Sequence, residues 1–278
     1  MKRTFILPLI VAAMMLPAST ACVSVNSSET DGSLSISINR RSEDVSNNII
    51  TKNLKLGDFN EIEVSRVNIV YSVGTPGTAT LSAPDNVMDK ITVSTRGGKL
   101  KVNVSDEVNF RGRLNATLTV SSSSIKEIDA ALSSNVKVTT PIVYSGGLDL
   151  EATTSALIVL GEVKSEEADI EVSTSGCVKI ADLKCADDID VSASTSGSIK
   201  IAKATSKGFD GDATTSGTVK VESGSIGDVD LDASTSGSIK ILAAVSGGTA
   251  DASTGGSIKV NTSNISKTTS TGGHISGL

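Results

Sequence analysis

Carboxylates recur through the second half of the chain at a step of about 20 residues. Glu127, Asp149, Asp169, Asp190, Asp210 and Asp230 form one series; Asp129, Glu151, Glu171, Asp212, Asp232 and Asp251 form a second, two residues further on. A third series is basic: Lys137, Lys179, Lys200, Lys220, Lys240 and Lys259. Paired carboxylates suit three kinds of chemistry: acid/base catalysis, calcium bridging, which needs roughly six to eight oxygens, and electrostatic docking of a partner. A catalytic site breaks a repeat at one place, whereas these pairs return in every period. The nonapeptide pattern of calcium-binding β-rolls is absent, so the identity of any metal stays open. The plainest reading is a solvated surface whose lysines oppose edge-to-edge aggregation.

Other reactive side chains are sparse. The single histidine, His274, sits in a glycine-rich tail; without a reactive Cys–His pair a papain-type triad is excluded, and without a second histidine so is a His₂ zinc site. Cys177 and Cys185 are eight positions apart. In an exported chain they form either a small disulfide loop or two free thiols, and no C-x-x-C spacing or neighbouring histidine supports metal binding. Between Leu148 and Val260 there are 9 Lys, no Arg and 18 Asp+Glu. That acidic balance argues against nucleic acid, which demands a basic face. Taken together, these residues indicate a protein that is not an enzyme; a polysaccharide-active β-helix enzyme is the catalytic alternative.

What positions the charges is a recurring phrase. It reads S-T-S-G-C-V-K-I at 173–180, S-T-S-G-S-I-K-I at 194–201, T-T-S-G-T-V-K-V at 214–221, S-T-S-G-S-I-K-I at 234–241 and S-T-G-G-S-I-K-V at 253–260. Its glycines, Gly176, Gly197, Gly217, Gly237 and Gly256, are 21, 20, 20 and 19 residues apart, the mark of a stacked, quasi-one-dimensional architecture. Further corners fall at Ser134, Ala156 and Gly273. With the phrase glycine as position zero, positions −6, −4, +2 and +4 are apolar or Gly in all seven periods from Ser134 to Gly256. Positions −7, −5 and +3 between them carry the charges. Alternation of period two means strands, with the apolar set inward and the charged set outward. The S-T-S-G phrase is the corner, where glycine permits φ > 0 and hydroxyls satisfy turn backbone. Threonines at −2, from Thr154 to Thr271, resemble the rows of ice-binding solenoids but fall in the corner rather than on a flat strand. The expected fold is all-β: a parallel β-solenoid, right-handed, of about eight coils stacked roughly 4.8 Å apart.

One coil cannot fold alone. Its three or four aliphatic groups contribute roughly 1.5–3 kcal/mol each, against roughly 1–2 kcal/mol of backbone entropy for every residue ordered. Stacking, which adds ladder hydrogen bonds and seals each layer, is what closes the gap. No proline follows Pro141, as central strands require.

Upstream, residues 1–21 combine Lys2 and Arg3, an apolar run and Ala18-Ser19-Thr20-Ala21, a secretory leader too short for a comfortable span. Cys22 follows directly and resembles a lipobox cysteine, which would be lipidated at the mature N-terminus; ordinary cleavage leaving a spare thiol is the alternative. Residues 22–50 read as a tether with a strand at 33–38, residues 51–125 as an N-terminal β section serving as cap or first coils, and residues 126–278 as the repeat. The glycine pair Gly97-Gly98 marks a hairpin or a solenoid corner.

Two stretches carry a family resemblance. One is F-N-E-I-E-V-S at 59–65 followed by V-N-I-V-Y-S-V-G-T-P-G and A-P-D-N-V-M-D-K-I-T-V; the other is R-G-G-K-L-K-V at 96–102 leading into the repeats. Over about residues 54–278 this resembles the putative auto-transporter adhesin, head GIN domain family of exported proteins. The resemblance implies an all-β solenoid, an export signal that is often of lipoprotein type, and adhesion, with no catalytic residues to carry over. The expected protein is an exported, lipid-anchored envelope module of the outer membrane or periplasm. It meets a glycan or surface protein through its outward Ser/Thr, Asp and Lys rows, or else serves as a structural spacer. Membrane contact is through the lipid alone, and no cofactor beyond calcium is implied.

Overall fold

The computed structural model describes residues 22–27, 34–39, 42–105 and 109–277; the leader reading falls outside them. The described residues are 63 % strand and 2 % helix, and the chain divides into two units, residues 1–44 with 106–111, and residues 45–105 with 112–278. In the first unit Cys22–Ser27 pairs antiparallel with Leu34–Asn39, and Ser42–Asp44 pairs parallel with Asn109–Arg111. The strand expected at 33–38 is therefore present, and the stretch read as a tether carries a hairpin.

The second unit is the β-solenoid, with stacked parallel coils numbering about eight. The coil around Gly197 shows the plan. Asp188–Ala193 forms the first side, residues 194–197 the corner, Ser198–Ile201 the second side, and Ala204–Ala213 a third side that runs on into the next coil. Each strand pairs parallel and in register with its equivalent in the next coil, so Asp190 lies beside Asp210, Lys200 beside Lys220, and Ile199 beside Val219. All four inward columns are buried from Ile128 to Val260, Gly211 included. The third side was not expected. It adds an inward column of Ile142, Val163, Leu183 and Ala204, all essentially inaccessible to water.

The corner differs from expectation in an instructive way. In the phrase at 173–176 the left-handed residues are Thr174 (φ 49°) and Ser175 (φ 64°), not the glycine. The N–H of Gly176 donates to Ser173 O at 2.8 Å, which closes a turn with φ > 0 at both central positions. The same pair of angles returns at Thr195 and Ser196, Thr215 and Ser216, and Thr235 and Ser236. Glycine is needed for space: a Cβ on Gly176 would stand 2.1 Å from Ala152 O of the coil before. Neighbouring corners are tied by backbone, as Ser175 N–H donates to Thr195 O at 3.1 Å and Ser216 N–H to Thr235 O at 3.1 Å. A β-branched or hydroxyl residue in the left-handed region costs about 1–2 kcal/mol, so relief is available. Ser216→Gly is expected to raise the unfolding free energy by about 0.5–1 kcal/mol once the extra entropy of glycine is set against it. Urea denaturation checks it, and a loss of stability would show that the serine hydroxyl matters more than its backbone.

The N-terminal β section is both first coil and cap. Glu61–Ser65 and Asn68–Val73 stack parallel on the first repeat strands, Glu127–Ala131 and Asn135–Val138. Lys99–Val104 and Thr117–Ser122 add one more parallel rung, and Ile91–Arg96, Thr78–Pro84 and Ile49–Lys55 close the end antiparallel. The Gly97-Gly98 pair, at φ 61° and 82°, is a hairpin turn. Tyr71 is wholly buried there, its hydroxyl 2.8 Å from Ser122 Oγ and its ring 6.2 Å from Phe59. At the other end Ser266–Thr269 places Lys267 and Thr269 in the columns of Ala250 and Ala252, a polar last coil of the kind that terminates a solenoid.

Candidate functional site: two charged faces

Parallel pairing turns each sequence series into a straight column. On the first side one column runs Lys99, Glu61, Glu127, Asp149, Asp169, Asp190, Asp210, Asp230 and Thr249. A second runs Lys101, Glu63, Asp129, Glu151, Glu171, Ser192, Asp212, Asp232 and Asp251. Both acidic columns therefore begin at a lysine, supplied by a strand far away in sequence. Lys99 Nζ lies 2.7 Å from Glu127 Oε1, 3.4 Å from Glu61 Oε2 and 3.9 Å from Asp129 Oδ2, while Lys126 Nζ lies 2.8 Å from Glu61 Oε1. Lys101 pairs with Glu63 at 2.5 Å. Further along, Thr249 donates to Asp230.

Within each column carboxylates stand side by side and repel. Strand spacing holds like charges about 4.8 Å apart. Partial burial and then the neighbouring carboxylates, Glu127 foremost, push Asp129 up to about 6. Burial followed by nearby carboxylates also raises Asp149, Asp169, Asp190, Asp210 and Asp232 above the ordinary aspartate range. Glu61, hydrogen-bonded first by Lys126 and also by Lys99, moves the other way.

A third, shorter column was missed in sequence: Asp188, Gly208 and Asp228 stand beside one another. With Asp190, Asp210 and Asp230 they border a shallow groove over Phe209 and Val229. The signal existed, since Asp188 and Asp228 both lie nine residues before a phrase glycine; the glycine at 208 interrupts it.

On the second side Lys137, Val159, Lys179, Lys200, Lys220, Lys240 and Lys259 form the basic column, and Lys220 pairs with Glu222 at 2.5 Å. The corner ridge of exposed threonines separates the two faces. On the third side Lys184 lies 3.0 Å from both Glu162 and Asp182.

The cysteines do not form the bridge weighed above. Cys177 and Cys185 are free thiols at the two ends of one strand, Cys177–Cys185, the first on the second side of its coil and the other on the third. Cys185 is buried, 3.4 Å from Ser165 Oγ, and burial raises its thiol. Calcium also finds no cage: among the described residues no three His, Cys, Asp or Glu side chains are grouped to hold a metal ion. His274 is exposed in the last coil, beside Ser257. Among the described residues no helix is long and apolar enough to cross a membrane.

Comparison places the chain among known folds. The sequence matches the family described as putative auto-transporter adhesin, head GIN domain, over residues 58–276. A putative lipid binding protein from Parabacteroides distasonis superimposes with a TM-score of 0.71 at 18 % identity, covering 86 % of this chain and 100 % of that one. A putative adhesin from the same organism gives 0.65 at 18 %, covering 85 % and 100 %, and one from Parabacteroides merdae gives 0.64 at 17 %, covering 86 % and 99 %. Identities this low show a shared fold. No curated protein matches the sequence. With the whole repeat and most of the N-terminal β section inside the matched span, the chain belongs to the putative auto-transporter adhesin, head GIN domain family.

Proposed function

We propose that this protein is a non-enzymatic, adhesin-like module of the cell envelope, exported and anchored through a lipid on Cys22, which binds a glycan or protein partner with its charged faces. The observation that carries the reading is the unbroken register of the outward columns, from Lys99 and Lys101 to Asp230 and Asp251. A surface that repeats one charge motif coil after coil suits extended, multivalent contact rather than turnover at one centre. The adhesin description of the family and of two structural neighbours supports an exported, surface-directed protein.

Binding of the purified chain to arrays of printed glycans and immobilised envelope proteins tests this. The combined change Asp190→Asn, Asp210→Asn and Asp230→Asn is expected to weaken wild-type binding at least tenfold, and added salt to weaken it further. Binding that ignores both the substitution and the salt would overturn the face as the contact. Incorporation of labelled palmitate in cells, lost in Cys22→Ala, checks the anchor.

A further inference from the structure

The second side carries a line of charge that the molecule leaves mostly unanswered. Lys179, Lys200, Lys220, Lys240 and Lys259 stand beside one another on successive coils, a line about 19 Å long at about 4.8 Å per strand. Lys179 and Lys200 are exposed and the other three half-buried. Lys220 pairs with Glu222 at 2.5 Å; among the described residues no carboxylate makes an ion pair with the other four. The third side is built differently. There Lys184 lies 3.0 Å from both Glu162 and Asp182, Lys203 lies 3.8 Å from Asp182, and Lys207 lies 2.5 Å from Asp187, so that face supplies its own counter-charges. Like charges directly opposite one another destabilise a sheet, and lysines that guard against aggregation belong on edge strands. Lys200, Lys220 and Lys240 sit on strands paired on both sides, where no edge needs guarding. An anion from outside the chain is what this line lacks.

The residues beside the line narrow the kind of anion. Ser198, Thr218, Ser238 and Ser257 form a parallel hydroxyl column two residues before the lysines, on the same outward face. Glu222 shows how the line treats a carboxylate. Its carboxyl is held below the ordinary glutamate range, first by the hydrogen bond from Lys220 and then by the charge of Lys220, with Lys200 and Lys240 adding to it. An ammonium is a compact charge with three donors that takes a carboxylate or a sulfate alike, and serine and threonine hydroxyls both donate and accept, as sugar hydroxyls do. Charges in a straight row match a linear polymer with anions at regular intervals, where each contact adds to the last. A membrane is entered with apolar side chains as well as charge, and the large exposed apolar residues, Ile49, Ile50, Leu132 and Val143, all lie off these strands. Single-stranded nucleic acid stacks its bases on aromatic rings, and these strands carry none.

We infer that the lysine column binds a linear acidic polysaccharide laid along the stack, its carboxylates or sulfates held by the lysines and its hydroxyls by the serine and threonine column. The assignment deepens the reading of the charged faces as contacts and rests on it. The test is calorimetry of the full chain with hexagalacturonate, its methyl-esterified form, monomeric galacturonate, a heparin hexasaccharide, oligothymidylate, and phosphatidylcholine vesicles containing phosphatidylglycerol. At least one acidic hexasaccharide is expected to bind, ten times or more tighter than the esterified hexamer, the monomer, the oligothymidylate and the vesicles. Lys200→Gln, Lys220→Gln and Lys240→Gln together relieve like-charge neighbours, so the protein is expected to fold at least as stably as wild type and to bind at least tenfold more weakly. Lys200→Glu, which gives Lys179 and Lys220 an opposite charge between them, is expected to fold equally well and to weaken binding as much. Lys55→Gln, Lys164→Gln and Lys207→Gln together remove the same charge from outside the second side and are expected to leave affinity within twofold. Failure of both acidic hexasaccharides to bind would overturn the assignment. So would equal or tighter binding of the esterified hexamer, the monomer, the oligothymidylate or the vesicles, wild-type affinity in either folded Lys200 variant, or equal losses in the two triple variants. Should the hexasaccharides fail while a partner on the arrays still binds and still responds to the triple aspartate substitution, this assignment falls and the broader reading of the charged faces stands.

Discussion

Gly217→Ala is expected to lower the stability of the solenoid by about 3–5 kcal/mol, a magnitude reserved for changes that force backbone apart. Gly217 is not in the left-handed region, so alanine has no conformational objection to its backbone angles. The penalty is spatial: the new Cβ would stand 1.9 Å from Ala193 O and 2.9 Å from Thr214 O. Ala193 O is already committed, accepting from Thr214 N–H at 2.9 Å, and Gly217 N–H closes its own turn onto Thr214 O at 2.7 Å. Moving either carbonyl away breaks the turn or the tie between coils. Gly161→Ala is the matched control, because its Cβ would meet nothing within 4 Å, and its effect is expected within about 0.5 kcal/mol. Urea titration of both variants decides the matter. Equal midpoints would mean that the phrase glycine is not held at van der Waals limits. In a one-dimensional stack the damage also localises, so the Gly217→Ala transition is expected to broaden or split while that of Gly161→Ala stays like the parent.

The second large effect is on acid response. Asp129 takes up a proton at about pH 6 in the folded chain but near 3.8 when unfolded, so between those values the native state holds more protons. Stability therefore rises as pH falls from 7 toward about 4, and the other raised aspartates, Asp149, Asp169, Asp190, Asp210 and Asp232, add in the same direction. Glu61 and Asp58 act oppositely: lysine partners lower the first, and the Ser123 hydroxyl and N–H the second. Their contribution is present above their ordinary pKa and is lost as pH drops through the folded value. The expected profile of thermal midpoint against pH has its maximum between about pH 4 and 6, on the acid side of neutrality. Lys99→Gln should lower the midpoint at pH 7 and close part of the gap at pH 5, because protonation of Asp129 then does what the ammonium did. A midpoint that falls steadily from pH 7 to pH 5 would show that the columns are relaxed by counter-ions rather than strained.

The repeat was legible because its phrase is nearly verbatim and its apolar positions alternate without fault. From Ile128 to Val260 every inward position chosen by alternation is inward, and each carboxylate and lysine series falls into a column. The third side escaped because its inward positions mix Val163 and Leu183 with Ala204 and Gly224, and their neighbours with Ser165, Cys185 and Ser206. Such a mixture carries no hydrophobic alternation. The role of the phrase glycine was misread because close approach and positive φ both select glycine, and only geometry separates them. Pairings that join distant segments were out of reach: nothing in the local pattern puts Lys99 ahead of Glu61. The lysine that opens each acidic column is such a long-range neighbour, whereas the carboxylates of the column come from successive coils, and that difference decided which was visible in advance.

The ties that run from corner to corner and strand to strand link each coil only to the one before and the one after. A pull on the last coil, with its polar Lys267 and Thr269 in the core columns, is borne by a single layer at a time. The molecule under tension would pay out one coil after another, each about 20 residues or roughly 65 Å of extended chain. Between such steps every remaining layer keeps its charged columns aligned, so a partially unravelled chain still presents a shorter length of the same surface.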